Sequence, residues 1–527
     1  MDNQIDETPR YIRVSRLIQH LSDIIRISEK DVEVNDIVQD SRQVKRGSLF
    51  VAIQGETTDG HEYIQDAVQR GANAIVGTRP ISDLKVPYVQ VTNSQRDFAQ
   101  LAAAFYGFPA RKLTVIGITG TDGKTTTANM IFKILNAAGI QAGMISTVSA
   151  TIGEDELDTG FHVTTPEASV IQRYLARMVV AGLTHIILEV TSHGLAQHRV
   201  DACDFDFGVV TNITHDHLDY HGSFGDYQAA KGMLFTSLSQ SQNKPFILER
   251  GAVLNRDDDS FSYLHQLTDV KCINYGINRE ADLFPSSLHF EPERTKFIIN
   301  GTDLHNRKFQ FPIEYSLPGE FNVYNALAAV ALTHSFLGIA VDSIQKGFSS
   351  LNIIPGRMEK IELGQGFITI IDFAHTPNAL KQSLETARTF TSRRVIAVFG
   401  SAGLRDREKR RLMSQTSARL ADITILTAED PRTESLQDIL TEMSAGILAE
   451  GGIENQTFWR IPDRRQAIRF AVRIAQPGDL VIVCGKGHEQ SMCFGNIEYP
   501  WDDRAAMRAA LAEQLGLDVP EMPFLPT

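Results

Sequence analysis

Gly117-Ile118-Thr119-Gly120-Thr121-Asp122-Gly123-Lys124-Thr125-Thr126-Thr127 is the stretch that decides how this chain reads. Leu113-Thr114-Val115-Ile116 before it is a short β-branched run, the mark of a buried strand. Ala128-Asn129-Met130-Ile131-Phe132-Lys133-Ile134-Leu135 after it has helical spacing. A glycine-rich turn between strand and helix aims backbone N–H groups at a phosphate chain, with the helix dipole behind them. Gly120, Thr121, Asp122, Gly123, Lys124, Thr125 and Thr126 are therefore expected around ATP. Lys124 would reach the β- and γ-phosphates, and the Thr125 hydroxyl would sit on bound Mg²⁺. The spacing departs from the common phosphate loop, because Ile118 stands where its first glycine belongs.

The chain has 527 residues, too many for one core, and about three domains are expected. Apolar residues make up 43% and charged residues 22%, an ordinary globular balance. With 51 basic against 64 acidic residues the formal charge is −13, so no overall field draws in nucleic acid. Anionic substrates must be met by local arginines, lysines and helix N-termini. Cys203, Cys272, Cys484 and Cys493 form no C-x-x-C pair and no zinc spacing, which points to free thiols in a reducing compartment. The first eight residues are acidic and lack an apolar core, and no run of about 18 apolar residues occurs. A cytoplasmic protein without a membrane span is expected.

Three α/β blocks follow one another. Up to about residue 110, strand-like runs (Ser48 to Ile53, Ala74 to Val76) alternate with a helix around Ile64 to Arg70, and Phe108 to Lys112 reads as a linker. The second block, 111–352, repeats strand and helix. Its strands His185 to Val190 and Phe207 to Asn212 end in polar residues, as in a parallel sheet with ligands at the carboxyl ends. Ser239 to Pro312 is more polar and shows little period. The third block, 353–527, carries Phe367 to Asp372, Val395 to Gly400, Ile423 to Thr427 and Leu480 to Gly485, a second doubly wound pattern.

Asn212-Ile213-Thr214-His215-Asp216-His217-Leu218-Asp219-Tyr220-His221 is dense in histidine and carboxylate, and Glu189 ends the neighbouring strand. Such oxygens and imidazoles at adjacent strand ends suit a divalent metal, Mg²⁺ or Mn²⁺. Capping histidines in a polar loop are the plain alternative. Lys231 lies in a helix among Ala229, Ala230, Gly232 and Met233. A helical lysine is usually a solvated charge, but a confined one loses its proton more readily and, as a neutral amine, takes up CO₂ to become a carbamate.

The stretches T-G-T-D-G-K-T-T, E-V-T-S-H, D-H-L-D-Y-H-G and A-A-K, in this order, resemble those of the Mur ligases. The likeness is strongest to the branch that adds a diamino acid to UDP-N-acetylmuramoyl-dipeptide. It continues in Asp40-Ser41-Arg42, Gly47 to Ala52, Leu317 to Asn325, Gly356-Arg357-Met358-Glu359, Asp372 to Asn378 and Gly485-Lys486-Gly487-His488-Glu489. The resemblance implies a three-domain fold: a uridine-nucleotide domain, a central phosphate-loop ATPase and a Rossmann-like C-terminal domain for the incoming amino acid. It also implies a reaction. ATP phosphorylates the D-glutamate carboxylate of the dipeptide, an amino group attacks the acyl phosphate, and a tetrahedral intermediate collapses to amide and phosphate. Such chemistry needs cations against like-charge repulsion, here Lys124 and one or two metal ions.

By the same resemblance, Glu189 and His217 hold metal together with Thr125, and Lys231 is carbamylated and holds a second ion. Ser41 and the Glu56-Thr57-Thr58 loop belong to the uridine end, and Thr164, Thr165, Thr191, Gln197 and Arg199 to the muramoyl peptide. Asn322 and Asn325 border adenine, and Asp372 and His375 approach ATP from the third block. Arg405, Glu429, Asp430, Pro431, Arg432, Gly485 and Glu489 form the diamino-acid pocket. A monomer that closes on its substrates is expected.

That pocket departs from the family's D-N-P-R, the stretch of members that use meso-diaminopimelate: Glu429 replaces Asp and Asp430 replaces Asn. An added carboxylate beside a bound carboxylate costs about 1–4 kcal/mol for unit charges about 4 Å apart, and 1.4 kcal/mol is about tenfold. Asp430 would favour an ammonium, as on lysine or ornithine, unless it pairs with Arg432 or Arg405. The two arginines tilt the expectation to meso-diaminopimelate. A folylpolyglutamate- or cyanophycin-type ligase is disfavoured by the uridine-type first block, and a non-catalytic scaffold by the presence of Lys124, Lys231, Glu189 and His217.

Overall fold

A computed structural model describes residues 10–526 apart from 29, 56–57, 158–164, 248, 292–293 and 352. Three large sheets organise it. The first runs Ile24–Ile27, Tyr88–Val91, Ala74–Gly77, Ser48–Val51, Asp36–Val38, parallel apart from the first pairing. Ser48–Val51 and Ala74–Gly77 are buried throughout and are flanked by apolar clusters, one built on Leu49, Val51 and Val76, another on Phe50 and Ile75. Phe108 to Lys112, expected as a linker, closes into a short 3₁₀ turn, Pro109–Lys112, with Pro109 and Ala110 buried.

The second sheet has eleven strands, and Thr114–Thr119, which feeds the glycine-rich turn, lies between His185–Glu189 and Phe207–Val210. All six of its residues are buried. Apolar clusters cover both faces, one with Ile116, Ile118 and Ile131, the other with Val115, Leu188 and Leu234. That is why these strands read as continuous apolar runs. Glu189, Asn212 and the turn meet at the carboxyl edge, where such sheets bind ligands.

The far edge holds what the sequence left without period. Leu283–Glu291, Arg294–Thr302 and Lys308–Tyr315 form an antiparallel ribbon. In the middle strand Thr295, Phe297 and Ile299 point inward, but Ile298 sits on the outer face and blurs the alternation.

The third sheet is parallel apart from its first pairing, in the order Glu359–Lys360, Ile368–Asp372, Leu480–Cys484, Val395–Phe399, Ile423–Leu426, Phe458–Arg460. Its carboxyl edge carries Asp372, Gly400 and Gly485 and faces the glycine-rich turn across a cavity. Two of its helices, Pro377–Phe390 and Arg407–Leu420, begin at capping residues Thr376 and Asp406.

The strand beneath the turn is pinned by a buried ion pair. Lys244 Nζ lies 2.6 Å from Asp206 Oδ2 and donates to the carbonyls of Leu113 and Asp204, while Asp206 Oδ2 accepts from the Val115 N–H. Both side chains are fully buried. Removing one partner of such a pair strands the other charge, which costs about 3–5 kcal/mol. We expect Asp206→Ala to lower unfolding stability by that amount in denaturant titration. A loss below about 1 kcal/mol, the value of an exposed pair, would show the ammonium to be solvated.

Candidate active site

The turn is shaped by its glycines. Gly120 has φ 146° and Gly123 φ 85°, and a Cβ on Gly120 would lie 1.9 Å from Thr211 Oγ1. Asn212 grips the loop: its carbonyl accepts the Thr121 N–H at 2.7 Å and its Oδ1 the Asp122 N–H at 3.0 Å. Thr211 Oγ1 donates to the Asp122 carbonyl at 2.6 Å. Lys124 opens the helix Lys124–Ala137, and its ammonium folds back onto the carbonyls of Gly120 and Thr121, at 3.0 and 2.9 Å. Lys231, on the helix Phe224–Gln240, reaches the same Gly120 carbonyl at 2.6 Å and lies over the Tyr227 ring. Burial, with Lys124 beside it, holds the Lys231 ammonium well below the usual lysine range.

Glu189 is buried at the end of its strand. It accepts from Thr125 Oγ1 at 3.0 Å and Thr147 Oγ1 at 3.1 Å. Burial pushes its carboxyl up, against the pull of Lys124 and Arg357. His217 adopts φ 52° ahead of the short helix Leu218–His221 and touches Asp216, Nε2 to Oδ2 3.3 Å. Its imidazole is held well below the ordinary histidine range by burial, so it is neutral and offers a lone pair. His193 packs against it edge-on, with ring centroids 4.7 Å apart. Among the described residues no group of three or more His, Cys, Asp or Glu side chains closes into a metal cage.

The third sheet docks on this edge through polar contacts. The Asp122 carboxylate accepts from Thr376 Oγ1 at 3.1 Å and Asn378 Nδ2 at 3.1 Å. Arg357 donates to Thr125 Oγ1 at 3.2 Å and stacks over Phe373. His215 Nε2 meets Asp406 Oδ2 at 2.7 Å, and Lys409 Nζ lies 3.4 Å from Asp216 Oδ1. Burial alone would push the Asp216 carboxyl up. Lys409 outweighs it, joined by His217 and His375 once these are protonated, and the group is held well below the usual carboxylate range. The sequence by itself assigns no role to Arg357, Lys409 or Thr147. Arg357 belongs to the Gly356-Arg357-Met358-Glu359 motif, whereas Lys409 lies in Arg407-Glu408-Lys409-Arg410-Arg411, which reads as a solvated charged face until the docking is seen.

A cavity of about 260 Å³ runs between the sheets. Its walls bring together Gly120 to Thr126, Thr191, His217, Lys231, Asn325, Asp372, His375, Arg405, Glu429, Asp430, Arg432, Gly485 and Glu489. Glu189, Asn322, Thr165 and Pro431 stand behind it. Asn322 bonds Asn325 and the Pro318 carbonyl, and Thr165 Oγ1 bonds the Glu189 carbonyl and Thr191. Asp372 ties three segments of the third block together, accepting from Met358 N, Ala374 N and Ser383 Oγ. A second cavity, of about 1100 Å³, is lined by Ser41, Thr58, Gln197 and Arg199 between the first and second sheets. Thr164, Glu56 and Thr57 lie outside the described residues.

In the remaining corner the charge of Asp430 is met by a lysine. Its carboxylate accepts from Lys486 Nζ at 3.1 and 2.9 Å and from the Cys493 N–H at 2.9 Å. Lys486 is fully buried and also pairs with Glu489. Its ammonium is held above the usual lysine range by those carboxylates against the cost of burial. Glu429 is buried with Oε2 lacking a partner, packed so closely on Gly485 that a Cβ there would lie 2.1 Å away. Burial pushes its carboxyl up to about 7.

Sequence profiles of the Mur ligases match along the chain: the family catalytic domain over residues 33–106, the middle domain over 118–333 and the glutamate ligase domain over 356–487. A UDP-N-acetylmuramoyl-L-alanyl-D-glutamate--2,6-diaminopimelate ligase of Geobacillus thermodenitrificans is 42% identical over 480 residues, 90% of this chain and 94% of the relative. A UDP-N-acetylmuramyl-tripeptide synthetase of Roseiflexus is 38% identical over 514 residues, 95% and 99% of the two chains. A solved structure of a UDP-N-acetylmuramoyl-L-alanyl-D-glutamate--2,6-diaminopimelate ligase superposes with TM-score 0.61 at 28% identity, covering 92% of this chain and 95% of the other. With its glycine-rich turn and three family domains matched in order along its length, the chain belongs to the Mur ligases.

Proposed function

We propose that the protein is an ATP-dependent, ADP-forming ligase that joins meso-diaminopimelate to UDP-N-acetylmuramoyl-L-alanyl-D-glutamate, a step of peptidoglycan precursor synthesis. The observation that carries this reading is the cavity in which the glycine-rich turn, Lys231 and His217 share walls with Arg405, Arg432 and Glu489. Relatives named for that activity, similar over nearly their whole length, support it. In this reading residues 1–110 hold the uridine nucleotide, 111–352 activate the carboxylate, and 353–527 deliver the diamino acid.

Ser41, Thr58, Gln197 and Arg199 bind the nucleotide end, with Thr165 and Thr191 leading the peptide towards the turn. Lys124 exchanges the carbonyls of Gly120 and Thr121 for phosphate oxygens. The D-glutamate carboxylate attacks the γ-phosphorus, the bond to the bridging oxygen breaks, and ADP leaves. The amine then attacks the acyl carbon, and the tetrahedral adduct expels inorganic phosphate. Asn325, backed by Asn322, and His375 border the nucleotide base and ribose. Arg405 and Arg432 hold the far carboxylate of the diamino acid, a task suited to guanidinium forks. Glu429, Gly485 and Glu489 receive its far ammonium.

A divalent ion such as Mg²⁺ fits Thr125, Glu189 and His217. Thr125 Oγ1 and Glu189 already lie 3.0 Å apart, and phosphate and water would complete the shell of an ion held there. When bound, such an ion neutralises the transferred phosphoryl group. A lysine kept neutral by burial, as the low affinity of Lys231 for its proton implies, can add CO₂ and release a proton, giving a carbamate oxygen for a second ion.

Lysine and ornithine lose the argument from Asp430, whose charge is already met by Lys486. Phosphate release should require ATP, the UDP-dipeptide and a diamino acid together, and should be fastest with meso-diaminopimelate. Asp430→Asn should leave that order unchanged. Faster turnover with lysine or ornithine, or phosphate release without an amino acid, would overturn the assignment. In CO₂-depleted buffer turnover should fall and return with bicarbonate; an enzyme indifferent to CO₂ would exclude the carbamate. Because Glu429 loses its proton only above about pH 7, KM for the diamino acid should decrease as pH rises from 6 to 8. Glu429→Gln should flatten that profile, and an unchanged profile would remove Glu429 from the ammonium site.

A further inference from the structure

Arg405 and Arg432 sit on two loops whose backbones lie outside regular structure. Leu404 has φ 56°, Asp430 φ 42° and Arg432 φ 53°, left-handed values that non-glycine residues keep only where their surroundings impose them. The loops clasp each other closely. The Gly403 N–H donates to the Asp430 carbonyl at 2.9 Å, and a Cβ on Gly403 would lie 2.0 Å from the Pro431 carbonyl oxygen.

One residue bonds to both, through its carboxylate on one side and its main chain on the other. Glu434 takes the guanidinium fork of Arg410, Nη1 to Oε1 at 2.8 Å and Nη2 to Oε2 at 2.7 Å. Its Oε2 also accepts the Leu404 N–H at 2.8 Å, next to Arg405. Its own N–H donates to the Pro431 carbonyl at 3.1 Å, next to Arg432. Arg410 is fully buried, and its fork further bonds the Ala402 carbonyl and Glu442. Glu434 itself stands behind the cavity wall.

We propose that Glu434, locked by Arg410, is the positioning residue that sets the separation of Arg405 and Arg432 and thereby admits the far carboxylate of the diamino acid. This rests on the assignment of those arginines given under Proposed function. Two guanidinium groups on separate loops recognise one carboxylate only if the loops keep a fixed register. The Glu434 carboxylate is the group bonded to the backbone of one loop while its main chain is bonded to the other. Were the Glu434–Arg410–Glu442 contacts only a staple between the helices Arg407–Leu420 and Leu436–Ala449, their loss would lower stability without singling out one substrate.

The test is the steady-state KM of the full chain for meso-diaminopimelate, ATP and the UDP-dipeptide, in Glu434→Ala and in the near-isosteric Glu434→Gln. For Glu434→Ala we expect KM for meso-diaminopimelate to rise at least about tenfold, with the other two KM values within about twofold. Glu434→Gln, which keeps an acceptor for the Leu404 N–H, should fall between it and the parent, and decides the matter should the alanine variant fail to fold. An unchanged KM for meso-diaminopimelate in the glutamine and alanine variants, or a parallel rise of all three values, overturns the proposal. If the unmodified enzyme does not use meso-diaminopimelate, the assignment of the arginines fails and the proposal falls with it. If it does and the variants bind it as before, only the role of Glu434 is lost.

Discussion

Two lysine Nζ atoms converge on a single carbonyl oxygen, that of Gly120: Lys124 at 3.0 Å and Lys231 at 2.6 Å. Both protonated, they would repel, and burial weakens the hold of each on its proton, which favours a neutral Lys231. The arrangement becomes favourable when anions arrive, and the rest of the site is built around that imbalance. The glycines admit the close approach of strand, loop and side chains, and Asn212 fixes the loop that offers the carbonyl. Glu189 stands one shell back, bonded to Thr125 and Thr147, where it offsets the positive charge without occupying the space of a phosphate.

The second dependence is between sheets. Beside an apolar contact, Phe321 on the cluster of the third sheet, the side-chain contacts that the third sheet makes on the edge of the second include polar and charged ones: Thr376 and Asn378 on Asp122, Asp406 on His215, Lys409 on Asp216, Arg357 on Thr125. Contacts of this kind are exchangeable for water and for ligand groups, so they hold a closed arrangement without welding it. Thr376 and Asp406 are also helix caps, and the docking therefore uses residues whose geometry the helices already require. Asp122 joins the two levels, because the residue that receives Thr376 and Asn378 is part of the loop that would wrap the phosphates.

Much of this is legible in the sequence for a physical reason. Strands buried on both faces are continuously apolar, and the residue that ends or follows each one is displayed at the binding edge, so Glu189, Asn212, Asp372 and Gly485 stand out from the sequence alone. Lys231 is legible through its small and apolar neighbours. What cannot be read depends on packing between distant segments. The ribbon at Leu283 to Tyr315 is hidden by one apolar residue on its outer face, Ile298. Lys409 is hidden by the charged company it keeps along its helix, and Glu434 by being one carboxylate among many, distinguished only by what its oxygens touch.

At Asp430 the sign of a side chain's charge does not by itself set the field that a ligand meets. A carboxylate facing a bound carboxylate would reduce affinity enough to redirect substrate choice, which is what its replacement of asparagine suggests. The structure turns that carboxylate onto Lys486, buried beside it, and onto the Cys493 N–H. The added negative charge is met by a positive one 2.9 Å away. Shared between Asp430 and Glu489, Lys486 leaves the three groups with one net negative charge, set beside the guanidinium groups of Arg432 and Arg405. Lys486 in turn bonds Glu489, so three alternating charges share one small volume next to Arg432 and Arg405. Selectivity in this corner therefore follows from where the two arginines stand rather than from the sign of the residue at position 430. Their stance is held from behind by the Glu434–Arg410 pair.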